Sequence, residues 1–99
     1  MRLQFTNKDG VYTAHLADKL TFADHSLFRK LLEDVKESKC AKCVFDLKDL
    51  NLIDSSGLGM IMIAIDEAKK NAWSLHVTGA VGPVKQLLQL SRLDQLLAA

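Results

Sequence analysis

The 99-residue chain predicts one α/β domain, 1–99. Its sheet should be mixed but mostly parallel, opened by an N-terminal hairpin, with helices mainly on one side in the order β-β-α-β-α-β-α. Three observations predict this. An Asp-Gly step near the start separates two alternating stretches. An amphipathic run with helical spacing follows them. A strand–helix–strand succession then fills residues 43–78, and parallel strands joined by a helix cross over right-handedly in nearly all proteins. A chain of this length supports a single modest core.

Residues 2–6 and 11–17 alternate as strands do, and Asn7-Lys8-Asp9-Gly10 between them has hairpin-turn chemistry. A helix is expected from about Ala23 to Ser38. There Leu27, Phe28, Leu31, Leu32 and Val35 fall on one face, and Asp24 lies in the first turn, where a negative charge is favoured. Cys43 to Leu47 reads as a short strand and 48–53 as a loop. Asp54-Ser55-Ser56-Gly57 opens a second helix that runs to about Asn71. Trp73 to Thr78 reads as a strand and Gly79 to Gly82 as a turn. Pro83 suits the first position of a third helix, with Val84, Leu87 and Leu88 on one face. Ser91 to Leu97 is expected to add a last helical turn.

Composition narrows the function classes. The chain is 48% hydrophobic and 25% charged with one proline, as globular proteins are. Thirteen basic and 12 acidic residues leave a net charge of +1, which is no basis for binding nucleic acid or an anionic membrane. No apolar run approaches the roughly 18 residues of a membrane span, and Met1-Arg2-Leu3-Gln4-Phe5 lacks the apolar region of a signal peptide. A cytoplasmic location without membrane insertion is expected. Cys40 and Cys43 form a Cys-x-x-Cys pair, but the pair precedes a strand. A redox thiol of that pattern instead follows a strand at a helix N-terminus. A zinc site would need further ligands from the scattered His15, His25 and His76. Two reduced cysteines are expected, with no metal.

Function is expected at Asp54-Ser55-Ser56-Gly57-Leu58-Gly59. Ligands of open α/β sheets bind near the carboxyl ends of strands, and a helix N-terminus tolerates an anion. A hydroxyl placed there can carry a phosphate, which adds about −1.5 to −2 charge beside Asp54. Simple capping also accounts for Asp and Ser here. Gly57 and Gly59 each cost a helix about 1 kcal/mol against alanine, which suggests close approach to the backbone. The helix is apolar from Leu58 to Ile65. At about 100° per residue, Leu58, Ile61, Met62 and Ile65 should face the sheet. Met60 and Ile63 should then be at least partly exposed beside the serines, as a transient protein-binding patch would be.

The string VFDLKDLNLIDSSGLGMIMI resembles the core of STAS domains, the family of bacterial anti-sigma factor antagonists, in which Asp-Ser-Ser/Thr-Gly-Leu-Gly opens a helix after a strand and loop. LTFADHSLFRKLLEDV, GPVKQLLQLSRLDQLL and the element order extend the resemblance over nearly the whole chain. It implies partner switching. An anti-sigma factor, often a serine kinase, is bound when Ser55 is unphosphorylated and released when Ser55 is phosphorylated, and a metal-dependent serine phosphatase reverses the mark. By the same resemblance Ser56 is the secondary hydroxyl and Asp54 the flanking acid. Thr21 takes the place of a partner-contacting acid in the family's Gly-Glu-Leu-Asp, for which Asp24 could substitute. The implied partner-binding set is Thr21, Asp24, Asp54, Ser55, Ser56, Gly57, Leu58, Gly59, Met60 and Ile63, on a monomer or weak dimer.

Other readings are a STAS subunit of a lipid-transport ATPase, which would bind the ATPase through the same helix, an enzyme and a nucleotide binder. Gly-x-Ser-x-Gly and Gly-x-x-x-x-Gly-Lys-Ser/Thr are both absent. Gly57-x-Gly59 also lacks a third glycine, since Met62 stands there. No catalysis and no cofactor are expected.

Overall fold

The computed structural model describes residues 1–91. Strands β1 (Arg2–Lys8), β2 (Val11–Leu20), β3 (Lys42–Ile53) and β4 (Ser74–Thr78) form a four-stranded sheet in the order β1-β2-β3-β4. The β1–β2 pair is antiparallel, and β2–β3 and β3–β4 are parallel. Helices α1 (His25–Ser38) and α2 (Ser55–Asn71) make the two crossovers, and α3 (Gly82–Leu90) follows β4. The order matches the expected one as far as Leu90; the expected last helical turn lies beyond the described residues, except for Ser91, which closes α3.

The hairpin forms where its turn chemistry lies. Asp9 and Gly10 both have positive φ, 54° and 79°, between the paired ends Lys8 and Val11. A two-residue turn with both angles positive matches the twist of the flanking strands. On the sheet, Tyr12, Ala14 and Leu16 of β2, Cys43, Phe45 and Leu47 of β3, and Leu75 and Val77 of β4 are buried. They join Phe28, Leu31 and Val35 of α1, Met60, Ile61, Ala64 and Ala68 of α2, and Val84 and Leu88 of α3 in one core. Their alternate neighbours, His15 and Asp46 among them, lie on the face without helices, where His15 Nδ1 meets Asp46 Oδ2 at 2.9 Å.

Two expectations about the elements change. Residues 48–53 are strand, so β3 has 12 residues. Its pairing with β2 steps from His15↔Asp46 to Ala17↔Asp49 and from Asp18↔Leu50 to Lys19↔Leu52, one extra residue of β3 each time. These bulges change the spacing of buried residues from two to three, at Leu47, Leu50 and Ile53, so alternation fails as a strand signal there. The second change concerns the expected helix start. Phe22–Asp24 is a 3₁₀ turn, α1 begins at His25, and Asp24 is its N-cap residue rather than part of its first turn. Leu27, expected among the core residues of α1, is exposed.

Both cysteines are buried and free. Burial, and secondarily Cys40, push the Cys43 thiol up to about 12. No cluster of three metal-ligating side chains occurs among the described residues, and none of their helices is long and apolar enough to cross a membrane.

Candidate functional site at the start of the second helix

Leu20 and Ile53 end adjacent parallel strands and are partners in register. The chain leaves both at the same edge of the sheet, so the β2–α1 connection and the start of α2 meet there. Asp54 joins them. Its Oδ1 accepts from the Gly57 amide at 2.7 Å and caps α2, while its Oδ2 accepts from the Phe22 amide in a long contact of 3.4 Å. The Asp54 amide in turn donates to the Leu20 carbonyl at 3.3 Å. Asp is among the best N-cap residues because its short side chain reaches amides that have no partner inside the helix.

Gly57 is where the two segments touch. It is buried, and a Cβ there would stand 2.3 Å from the Leu20 carbonyl oxygen and 2.8 Å from Ile53 Cγ1. The close backbone approach expected of the two glycines therefore occurs at Gly57, and its cause is packing within the domain. Gly59 has open space at its Cβ position.

The β2–α1 connection is held by a second carboxylate. Asp24 Oδ2 accepts from the Thr21 amide at 2.9 Å and from the Thr21 hydroxyl at 3.3 Å, and Oδ1 accepts from the Met1 amino group at 2.7 Å. Burial acts to raise the Asp24 pKa, but these donors outweigh it and hold the carboxyl below its ordinary value.

Ser55, the first residue of α2, is exposed. Ser56, Leu58 and Gly59 are half-buried, as are Thr21, Asp24 and Asp54. Ile63 is 49% exposed, as the expected patch requires.

Met60 does not join that patch. It is 3% exposed, and Met62, expected against the sheet, is 47% exposed. The buried stripe of α2 is Gly57, Met60, Ile61, Ala64 and Ala68, about one residue around from the expected face. Met60 lies at the floor of a cleft between α1 and α2, lined by His25, Phe28, Arg29, Leu32 and Ile63. The neighbouring helix covers it, which the α2 sequence alone cannot register. A signal for the true face did exist. Gly57, Ala64 and Ala68 are the smallest residues of the stripe, and small residues let a helix approach its neighbours closely.

Phe22 was not among the expected site residues. It is 73% exposed on the turn whose amide Asp54 holds. Its apolar side chain between Thr21 and Ala23 gave no periodic signal, because a single 3₁₀ turn is too short to have one.

The domain thus presents a capped helix start at the carboxyl edge of its parallel strands, with an exposed serine as the first helical residue. The STAS domain family model matches residues 2–98, and the chain belongs to that family. It is 24% identical over 98 residues to the anti-sigma F factor antagonist of Paenibacillus polymyxa, covering 98% of this chain and 84% of that relative. Among solved structures it resembles the unphosphorylated anti-sigma factor antagonist SpoIIAA, with a TM-score of 0.80 at 17% identity over 98% of this chain and 86% of that one. It also resembles the phosphorylated Bacillus cell fate determinant SpoIIAA, with a TM-score of 0.79 at 15% identity over 98% and 89%. At these identities the structural likeness is one of fold.

Proposed function

We propose that this STAS domain is an anti-sigma factor antagonist controlled by phosphorylation of Ser55. It binds an anti-sigma factor, often itself a serine kinase, when Ser55 carries a free hydroxyl and releases it when phosphorylated. The observation that carries this reading is the exposed Ser55 directly after the capping Asp54, at the same edge as the exposed Phe22. The curated relative named as an anti-sigma F factor antagonist supports it.

The chemistry is simple for this chain. The Ser55 Oγ attacks the γ-phosphorus of ATP, ADP leaves, and the hydroxyl proton passes to a base of the kinase. A metal-dependent phosphatase returns the hydroxyl by hydrolysis. The cap is made by Asp54 and not by Ser55, so the phosphate does not remove the bond that starts α2. It changes the surface charge by about −1.5 to −2 while the fold stays. Release then follows from repulsion and crowding at an interface fitted to a hydroxyl. The antagonist acts as a monomer or weak dimer.

Mass spectrometry of the protein from its native cells, with and without phosphatase treatment, tests the reading. A phosphate on Ser55 that treatment removes is expected. A Ser55 that stays unmodified across growth conditions would overturn the switch and bring forward constitutive binding, as in a lipid-transport ATPase subunit. In titrations, Ser55→Ala should bind the anti-sigma factor permanently and Ser55→Asp weakly. Equal affinity of Ser55→Asp and the parent would also refute the assignment.

A further inference from the structure

We propose that the free edge of β1 is the surface on which this domain pairs with a second copy of itself, β1 against β1 about a two-fold axis. This gives the weak dimer its surface and is independent of the switch at Ser55. β1 is the outer strand of the sheet and pairs on one side alone. A two-residue turn closes on a hydrogen-bonded pair, here Lys8 and Val11, and such pairs alternate along antiparallel strands. The backbone groups of Leu3, Phe5 and Asn7 therefore point away from β2. An open edge of this kind is a template for another strand, and proteins commonly blunt it with a bulge, a proline or charges. β1 pairs with β2 without a bulge and has no proline. Its two charged residues lie at its ends, where Asp18 holds Arg2 at 2.8 Å.

The side chains beside this edge are apolar. Leu3 and Phe5 of β1 line a groove with Leu27 and Leu31 of α1, and Lys30 and Asp34 stand at its rim. Phe5 is 55% exposed and Leu27 38%. The Phe5 ring is already fixed, since it stacks on Tyr12 with centroids 5.2 Å apart, so covering it costs little further freedom. A strand added to this edge covers the groove and takes up the free backbone groups together.

The charges make the occupant a second copy. α1 returns from the end of β2 to the start of its parallel neighbour β3, so it runs in the direction of β1. A two-fold axis through the β1 edge therefore sets two α1 helices side by side and antiparallel. Lys30 of each then lies beside Asp34 of the other, and the match occurs twice. Neither residue is in an ion pair among the described residues, although Asp34 is half-buried. Charge also selects the register. With Gln4 on the axis, Leu3 opposes Phe5 of the other copy, both with outward backbone groups, and Arg2 opposes Thr6. An axis at Phe5 would oppose Arg2 to Lys8, and like charges directly opposite are destabilising. Because the strands are antiparallel, the two α2 starts lie at opposite ends of the joined sheet, and each Ser55 stays uncovered.

Sedimentation equilibrium of the full chain over a range of concentrations tests the surface. A monomer–dimer equilibrium is expected. Lys30→Asp and Asp34→Lys should each weaken the dimer about tenfold with an unchanged circular dichroism spectrum, and the chain carrying both exchanges should recover the parent's affinity. A parent that stays monomeric at every concentration overturns the proposal and leaves the antagonist reading standing. So does a dimer that neither exchange weakens, or one that the double exchange fails to restore. Cross-linking checks the register without those variants. A non-hydrogen-bonded pair brings its α carbons to about 4.5 Å, so Gln4→Cys should form a disulfide-linked dimer rapidly under copper-catalysed air oxidation, and Lys8→Cys far more slowly. Equal cross-linking of the two, or none in Gln4→Cys, would overturn the β1 pairing.

Discussion

The α carbon of Gly57 faces the carbonyl oxygen of Leu20 so closely that a Cβ would stand 2.3 Å from it. That single approach sets α2 against the ends of β2 and β3 and leaves Ser55, two residues earlier, facing outward. The geometry at the start of α2 is thus set by backbone packing within the domain.

Gly57 and Gly59 should answer oppositely to alanine. Gly57→Ala forces β2 or α2 to move, and overpacking of this kind costs about 1–3 kcal/mol even after alanine's better helix propensity. Gly59→Ala meets open space and should stabilise by up to about 1 kcal/mol. Urea denaturation of the two variants reads both signs.

Ile63→Lys and Met60→Lys separate surface from core. Ile63 is exposed on the rim of the α1–α2 cleft, so the lysine should keep the fold, with stability within about 0.5 kcal/mol of the parent, and weaken partner binding. A lysine at Met60 would bring a charge into a site that is 3% exposed and should cost about 3 kcal/mol or more. Circular dichroism melts distinguish them.

The C-cap of α2 is strained. Ala72 ends the helix in the left-handed conformation, with φ of 60°. Glycine takes that conformation without the steric penalty of a Cβ. Ala72→Gly should stabilise by about 1 kcal/mol, raising the melting temperature by about 4 °C or more.

The Cys40–Cys43 pair should be inert in the folded protein. Both thiols are buried, and Cys43 is pushed up to about 12 by burial first and by Cys40 second. Ellman's reagent at pH 8 should find no reactive thiol in the native state and two after unfolding. The same shift sets an alkaline limit. Burial, followed by Asp34, also raises the Tyr12 hydroxyl to about 12. In the unfolded chain both groups lose their protons at lower pH. Their contribution to stability is therefore complete below about pH 9 and is lost as pH rises toward 12. Denaturant midpoints measured from pH 8 to 11 should fall through that window.

Much of the fold was legible because its signals are local. Asp9-Gly10 specifies its turn by the φ angles those residues tolerate, and Asp54 announces the start of α2 because its side chain reaches the helix amides from the adjacent residue. Pro83 marked α3 for a similar reason. The Asp-Ser-Ser-Gly-Leu-Gly string, by its resemblance to the family, then pointed to Ser55, which is exposed. What failed was what depends on neighbours distant in the chain. The strand continues through 48–53 because β2 pairs with it across two bulges, a match between two segments that neither encodes alone. Met60 is buried because α1 lies beside it, and Phe22 is held at the site because Asp54, 32 residues later, takes its amide.

The sequence by itself determined the order of the elements, the Asp9-Gly10 turn and the helix starts at Asp54 and Pro83. These follow from short-range sterics and hydrogen bonding. Only the tertiary structure decided which side of α2 is core and which apolar residues stand beside the serine. Burial is a property of contacts between segments, and on a helix that is apolar all round a rotation of one residue exchanges a core side chain for an exposed one.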